Sequence, residues 1–385
     1  MRFCRRYLAV LLALATLAGC GTKGIVRTPA KLTDIKNPAV EPHQLWSSDV
    51  GNGSGGQWSS LRVTVAEDAV YAAAEDGRVY AFKRDNGDTI WRTDTDTRVI
   101  SGPTVAGDQV LVGTLDAQVV ALKRADGKLL WKGDAPSEVM APPVSDGRVV
   151  VVRAVDGRIF GLSADTGKRA WSFERSEPDL TLRGLSKPLL FDSRVLIGTD
   201  NGKIVSLTAD DGQPNWEQTL STPSGRSDLD RLTDVDADPL AGPLGVYVVS
   251  YGGDIGLMDP DSGEFRWKRR IKSYSGMALG DNLLFVTDDD GYVWALDPAT
   301  GAQAWKQEAL KYRDLSPPAF FDGYVVVGDF EGYLHWLRPA DGAIVGRTRL
   351  DSDPIITAPA AAGKRLYVMD ADGDLAAFED RKPDH

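Results

Sequence analysis

Few side chains in this sequence could do covalent or metal chemistry, and their spacing does not favour it. The 385-residue chain holds three histidines, His43, His335 and His385, and two cysteines, Cys4 and Cys20. Histidines so far apart, one of them at the last position, cannot build a His-rich metal site. No nucleophile stands beside a base and an orienting acid, so the residues assign no catalytic group, no metal ligand and no cofactor. Acids are abundant, 55 Asp and Glu against 44 Lys and Arg, for a formal charge of -11. With that balance and no basic tract, a nucleic-acid partner is excluded on electrostatic grounds. Many of the acids recur in Asp-Gly pairs, where they could hold calcium or shape turns. Copies carrying Ala117, Gly252 or Glu331 break any ligand pattern, which leaves turn chemistry. Two stretches remain, Leu180-Thr181-Leu182-Arg183-Gly184 and Asp228-Leu229-Asp230-Arg231-Leu232-Thr233-Asp234-Val235-Asp236. Leucines two apart share a side of an extended chain. Apolar anchors beside carboxylates and an arginine are the anatomy of a protein-binding site. The same leucines could tuck beneath their own loops with the acids solvated, and the residues alone leave both readings open.

The elements that must position these stretches are set by a repeat. A short strand, an Asp-Gly type turn, a second strand, a second turn and a strand ending in Trp recur along almost the whole chain. The first turn falls at Asp76-Gly77, Asp116-Ala117, Asp156-Gly157, Asn201-Gly202, Gly252-Gly253, Asp290-Gly291, Glu331-Gly332 and Asp372-Gly373. The second falls at Asn86-Gly87, Asp126-Gly127, Thr166-Gly167, Asp211-Gly212, Ser262-Gly263, Thr300-Gly301 and Asp341-Gly342. The closing residue is Trp91, Trp131, Trp171, Trp216, Trp267 and Trp305, with Gly346 in the seventh copy. A period near forty made only of short strands means a propeller blade. The expected fold is therefore all-β, an eight-bladed propeller of four-stranded antiparallel blades over residues 43–379, with a tail at 380–385. The eighth copy stops before its Trp, while Gln44-Leu45-Trp46 looks like the missing end of a blade. The N-terminal strand is expected to complete the last blade, which removes the open edges of the ring. One Trp per blade, Trp46 included, points to docking between blades and not to a ligand site; Trp58, Trp294 and Trp336 fall off this register.

The period breaks in two places. From closing Trp to the next inner-strand proline the count is 12 for Trp91 to Pro103, Trp131 to Pro143 and Trp305 to Pro317. It grows to 17 for Trp171 to Pro188 and 23 for Trp216 to Pro239. Such connections leave a propeller on one face, and consecutive blades are neighbours, so the two enlarged segments lie side by side. They contain the two stretches of leucine, arginine and carboxylate, and function in repeat rings concentrates in such insertions.

Residues 1–19 read as a targeting segment. Arg2, Arg5 and Arg6 precede an apolar run from Tyr7 to Thr16 that is too short to span a bilayer. Leu17-Ala18-Gly19-Cys20 resembles the lipobox of bacterial lipoproteins, which leaves an acylated cysteine at the new N-terminus. Cys4 leaves with the leader, so Cys20 has no disulfide partner. Gly21, in place of an Asp, favours the outer membrane over the inner one. Residues 20–42, with Pro29, Pro38 and Pro42, read as a lipidated tether that places a ring on the periplasmic face.

The repeat resembles the quinoprotein-like propellers, whose dehydrogenases bind pyrroloquinoline quinone and calcium in the ring centre, commonly against a pair of adjacent cysteines. No such pair exists here. The WD40 class would show Trp-Asp at blade ends, and this chain shows none. A closer resemblance is to the BamB family, the propeller lipoproteins of the outer-membrane β-barrel assembly machine. It rests on Leu180-Thr181-Leu182-Arg183-Gly184, on Asp230-Arg231-Leu232-Thr233-Asp234-Val235-Asp236, and on Glu331-Gly332-Tyr333-Leu334-His335-Trp336, within a likeness running from Cys20 to Phe378. Asp88 and Gly346 depart from the family in blade positions and leave the loops untouched. The resemblance implies a monomeric, non-enzymatic subunit of a hetero-complex. It further implies that Leu180, Leu182, Arg183, Asp234 and Asp236 contact a periplasmic POTRA domain of BamA. A quinone-binding propeller enzyme and an adaptor for another envelope protein are the competing readings.

The anchor yields a direct test. Cys20→Ser is expected to give a folded protein that carries no lipid and washes off membranes. Retention of that variant in the outer-membrane fraction at high salt would show that something else holds it.

Overall fold

The computed structural model describes residues 27–57, 59–174, 186–224, 227 and 231–383. Eight sheets follow one another round a ring, and in each the chain runs from the centre outward. Blade 3 sets the pattern: Val144–Ser145 lies innermost, followed by Val149–Arg153, Ile159–Ser163 and Arg169–Phe173 at the rim. The other blades span 64–94, 99–134, 189–219, 240–270, 276–307, 319–349, and 360–381 joined to 41–49. All within-blade pairings are antiparallel; Ser60–Leu61 adds a short parallel strand to the second blade's sheet. The expected eight-bladed, all-β propeller is the fold.

The two middle strands of a blade are covered on both faces by the neighbouring blades, and this sets their composition. Val149–Arg153 is buried at every position, so its first four residues read as an unbroken apolar run and not as an alternation. The rim strand has one face to solvent, and Arg169–Phe173 buries only Trp171 fully. The core is accordingly a set of wedges between blades. Val149, Val151, Ile159 and Trp171 of blade 3 pack with Val195, Ile197, Val205 and Leu207 of blade 4.

Closure is made by the N-terminal strand. Glu41–Asp49 pairs antiparallel with Asp374–Arg381, from Glu41 opposite Arg381 to Asp49 opposite Asp374. Ordered contacts begin before the expected start at His43: the segment from Arg27 to Val40, read from sequence as tether, lies against blades 6 and 7, with Val40 2% exposed. The last strand runs to Arg381, two residues past the expected limit at Glu379.

Each closing Trp has a defined socket. A one-residue bulge precedes it in every rim strand, for example between Leu129 and Trp131, which turns the indole toward the next blade. There it covers the glycine of that blade's second turn. These glycines, from Gly87 to Gly342, all sit at φ between 68° and 75°, a region open to glycine at little cost. A Cβ on Gly87 would lie 2.6 Å from the Trp46 ring, and one on Gly342 2.6 Å from Trp305. The indole N–H then donates to a carbonyl of the same turn: Trp91 to Arg124 at 2.9 Å, Trp171 to Ala209 at 3.0 Å, Trp305 to Pro339 at 2.6 Å. Trp46, Trp131, Trp216 and Trp267 bond likewise to Arg84, Ala164, Pro260 and Pro298. Trp216 and Trp267 are half-buried, whereas the other five are 7–9% exposed.

The seventh copy lacks its Trp for a physical reason. Blade 8 takes its rim strand from the N-terminus, so no second turn exists there to serve as a socket. A Cβ at Gly346 would instead fall 2.5 Å from Val40 Cγ1. Trp336, off the repeat register, is fully buried at this seam and donates to Asp380 Oδ2 at 3.1 Å. Asp380 Oδ1 is buried without a hydrogen-bond partner, and burial, helped by Asp322, pushes the carboxyl up to about 7.

Two outcomes are expected. Trp171→Ala removes a buried indole from its socket and should cost about 3–5 kcal/mol in denaturant unfolding; a midpoint equal to that of the unaltered protein would show that the indole carries no such weight. Asp380 keeps its proton in the folded state between about pH 4 and pH 7 while the unfolded chain releases it. Stability therefore falls as pH rises through that window, by about 1.4 kcal/mol per unit at most. The advantage of Asp380→Asn over the unaltered protein should grow from pH 5 to pH 8, and a constant difference would contradict the assignment.

Candidate functional site

The two enlarged connections join blade 3 to blade 4 and blade 4 to blade 5, on the face that also carries the first turns. Leu180, Leu182 and Arg183 lie outside the described residues, as does Leu229. From Ser186 onward the first connection is firmly held. Ser186 Oγ donates to Ala237 O at 3.1 Å, and the Lys187 amide to Asp238 Oδ1 at 2.7 Å, so the end of the first connection is bonded to the end of the second.

The second connection is packed down onto blades 4 and 5. Leu232, Thr233, Asp234 and Val235 are all buried. The Val235 amide donates to Thr199 O at 3.1 Å and the Tyr251 amide to Asp234 O at 2.9 Å, which ties the segment to both first turns. Leu232 thus follows the tucked-under alternative. The close approach also explains a break in the repeat. A Cβ on Gly252 would lie 2.7 Å from Thr233 Cα, so the Asp expected before the turn glycine has no room.

Beneath this segment the carboxylates of Asp200, Asp234 and Asp236 converge, with one oxygen of each within 4.8 Å of the others. Arg153 Nη2 donates to Asp200 Oδ1, a pair whose side chains are 3% and 2% exposed. Asp234 is 0% exposed and Asp236 half-buried. Asp234 therefore shapes the loop from beneath, while Asp236 has surface to offer. Arg153 and Asp200 were not singled out from sequence. The available signal was register: four residues before the turn position, the other blades carry Ala73, Gly113, Gly198, Val249, Thr287, Gly328 and Met369, and only blade 3 carries a charge. A buried arginine in such a place must be held by carboxylates, because an unpaired buried charge is strongly destabilising.

At the ring centre a different pair spans the bore. Arg62 enters blade 1 and Asp238 enters blade 5, four blades apart, and their side chains meet at 2.6 Å. Lys187, entering blade 4, shares that level, and burial together with Arg62 lowers its pKa.

Comparison with known proteins decides the family. A family profile described as "Outer membrane protein assembly factor BamB" matches residues 39–116, 75–307 and 309–383. The protein of that name from Alkalilimnicola ehrlichii is 50% identical over 374 residues, covering 97% of each chain. That from Pseudomonas aeruginosa is 48% identical over 96% of this chain and 98% of its own. The chain belongs to the BamB family. The Escherichia coli member is 34% identical over 95% and 96% of the two chains. Among solved structures, BamB from Moraxella catarrhalis superposes with a TM-score of 0.81 at 26% identity, covering 88% of this chain and 99% of that one. The quinohemoprotein alcohol dehydrogenase of Comamonas testosteroni gives 0.73 at 15% identity, covering 92% and 80%. That likeness shows the propeller fold alone.

Proposed function

We propose that this chain is a non-enzymatic scaffold of the outer-membrane protein assembly machine, lipid-anchored through Cys20 on the periplasmic face. Its connection face at blades 3 to 5 binds a periplasmic POTRA domain of BamA. The observation that carries the reading is the pairing of family membership with the built platform under the second connection. Arg153 and the convergent carboxylates lie beneath residues 231–236, which gives this part of the connection face a rigid base. Rigid support of a few anchors is what turns a loop into a binding surface, because less ordering entropy is lost on docking. Asp236 belongs to the contact and Asp234 to its support. Arg183 supplies a planar fork for a partner carboxylate or carbonyl, a task lysine does poorly.

Central anchors commonly cost about 2 kcal/mol or more when truncated, roughly thirtyfold in affinity. Leu180→Ala, Leu182→Ala and Arg183→Ala should each weaken capture of BamA's periplasmic domain with little change in melting temperature. Lys83→Ala and Lys123→Ala, on the second-turn side of blades 1 and 2, should leave capture unchanged. Normal capture by a folded triple variant would sink the assignment. Asp234→Ala should lower stability along with capture, which separates support from contact.

A further inference from the structure

Residues 27–40, which lie between the proposed lipid site and the first strand, are fastened to the ring at several points. Arg27 donates through Nη1 to Asp289 O at 3.3 Å, places Nη2 3.5 Å from the Asp290 carboxylate, and holds its guanidinium carbon 5.5 Å from the centre of the Tyr312 ring. The Ala30 amide donates to Lys311 O at 2.9 Å, and Arg313 Nη1 returns a bond to Ala30 O at 3.1 Å. Leu32 packs on the apolar wedge that contains Trp305, Leu310 and Leu315. Arg347 Nη1 donates to Thr33 O at 2.8 Å, and the Ala39 amide to Val345 O at 2.9 Å.

The two arginines that grip the segment are themselves fixed from inside blade 7. Arg313, 3% exposed, donates through Nε to Asp329 Oδ2 at 2.7 Å and pairs with Glu331. His335, 0% exposed, meets the same Asp329 oxygen at 2.8 Å through Nε2 and accepts from Arg347 Nε at 3.1 Å through Nδ1. The buried side chains of Asp329 and His335 thus link and hold out two guanidinium groups whose remaining N–H donors reach the backbone of residues 30 and 33. Carbonyl acceptors are sequence-independent, so the grip fixes a path and not a side-chain identity.

That path has a direction. Val345 lies at the second-turn end of blade 7's rim strand, whereas Asp289, Asp290 and Tyr312 belong to the first turn and the onward connection of blade 6. Residues 40 to 27 therefore climb the edge of blade 7 and leave the ring on the connection face, the face that carries the platform of blades 3 to 5. From Arg27 back to Cys20 is seven residues, which span at most about 25 Å whatever their conformation. The strands that separate the two faces are five or six residues long, about 17–20 Å, so the leash is little longer than the ring is thick.

We infer that residues 27–40 are a strap that sets the orientation of the propeller on the membrane: the connection face at blades 6 and 7 is held toward the lipid surface, and the docking platform is presented between ring and bilayer. The inference rests on the proposed acylation of Cys20. Without the strap the leash would run from Cys20 to Glu41, twenty-one residues or about 70 Å at full extension, and either face could turn to the lipid.

The test places one fluorophore at a time on the acylated full-length protein bound to phosphatidylethanolamine–phosphatidylglycerol vesicles that carry a headgroup acceptor. Ala309→Cys and Ala299→Cys are exposed sites on blade 6 at opposite faces; with Cys4 removed and Cys20 acylated, each label is unique. Energy transfer should be severalfold greater from position 309 than from 299. Equal transfer, or greater transfer from 299, in vesicle-bound protein overturns the inference. In Leu32→Asp combined with Arg347→Ala, which loosens the strap, the difference should shrink while the protein stays vesicle-bound; an undiminished difference also overturns it. A Gly-Ser insertion after Gly24 leaves every described contact in place and should lower transfer from position 309; unchanged transfer counts against a taut leash. Failure of the anchor itself looks different, because the protein would then not float with vesicles at all.

Discussion

The fold depends on one repeated contact: an indole laid on a glycine of the next blade's turn, with its N–H donated to that turn's carbonyl. The middle strands of the blades meet their neighbours mainly through apolar side chains, whose contact is non-directional. The Trp–Gly contact gives each seam a register. It needs a bulge to aim the ring, a glycine with no Cβ in the way, and a positive φ that presents the carbonyl. An aromatic of this size removes about 150–250 Å² from water when buried, several kcal/mol gross per seam at about 25 cal/mol per Å². The one seam without this contact, between blades 7 and 8, is where the chain's two ends meet, and there Val40, Trp336 and Asp380 take over.

This explains what the sequence could and could not reveal. The blades were legible because their turns demand Asp-Gly type chemistry and their seams demand Trp at a fixed interval, both local requirements that leave a periodic trace. Trp46 was readable as the end of the last blade for the same reason. The departures at Gly346 and Gly252 were visible too, yet their meaning was not. Each glycine answers to a segment that packs against it from elsewhere, Val40 in one case and Thr233 in the other. The two stretches of leucine, arginine and carboxylate showed as breaks in period. The burial of Leu232 and Asp234, and the service of Arg153 and Asp200 beneath them, depend on contacts between blades that no local pattern encodes. The segment from Arg27 to Val40 has no periodicity and read as free chain, because what orders it is a pair of arginines some three hundred residues away.

On the proposed reading, a ring with a platform on one face and a strap leaving that same face would hold a partner at a set distance from a membrane. The chemistry of the platform agrees with such a role. Asp200 is committed to Arg153 and Asp234 is wholly buried, so what these two contribute is shape, while Asp236 keeps some exposure. The cross-ring pair of Arg62 and Asp238 commits the bore in the same way. The structural likeness to a quinohemoprotein alcohol dehydrogenase is one of fold alone, and the family assignment follows from identity that runs nearly the full length of the chain.

Hydrogen–deuterium exchange with and without BamA's periplasmic domain tests the central claim most directly, because it reads every backbone amide of the ring at once. Slowed exchange should concentrate in residues 175–185 and 225–236 on the connection face, with the second-turn loops such as 124–128 and 298–302 unchanged. A complex that forms while protection falls on the second-turn face, or on blades away from 3 to 5, would contradict the account.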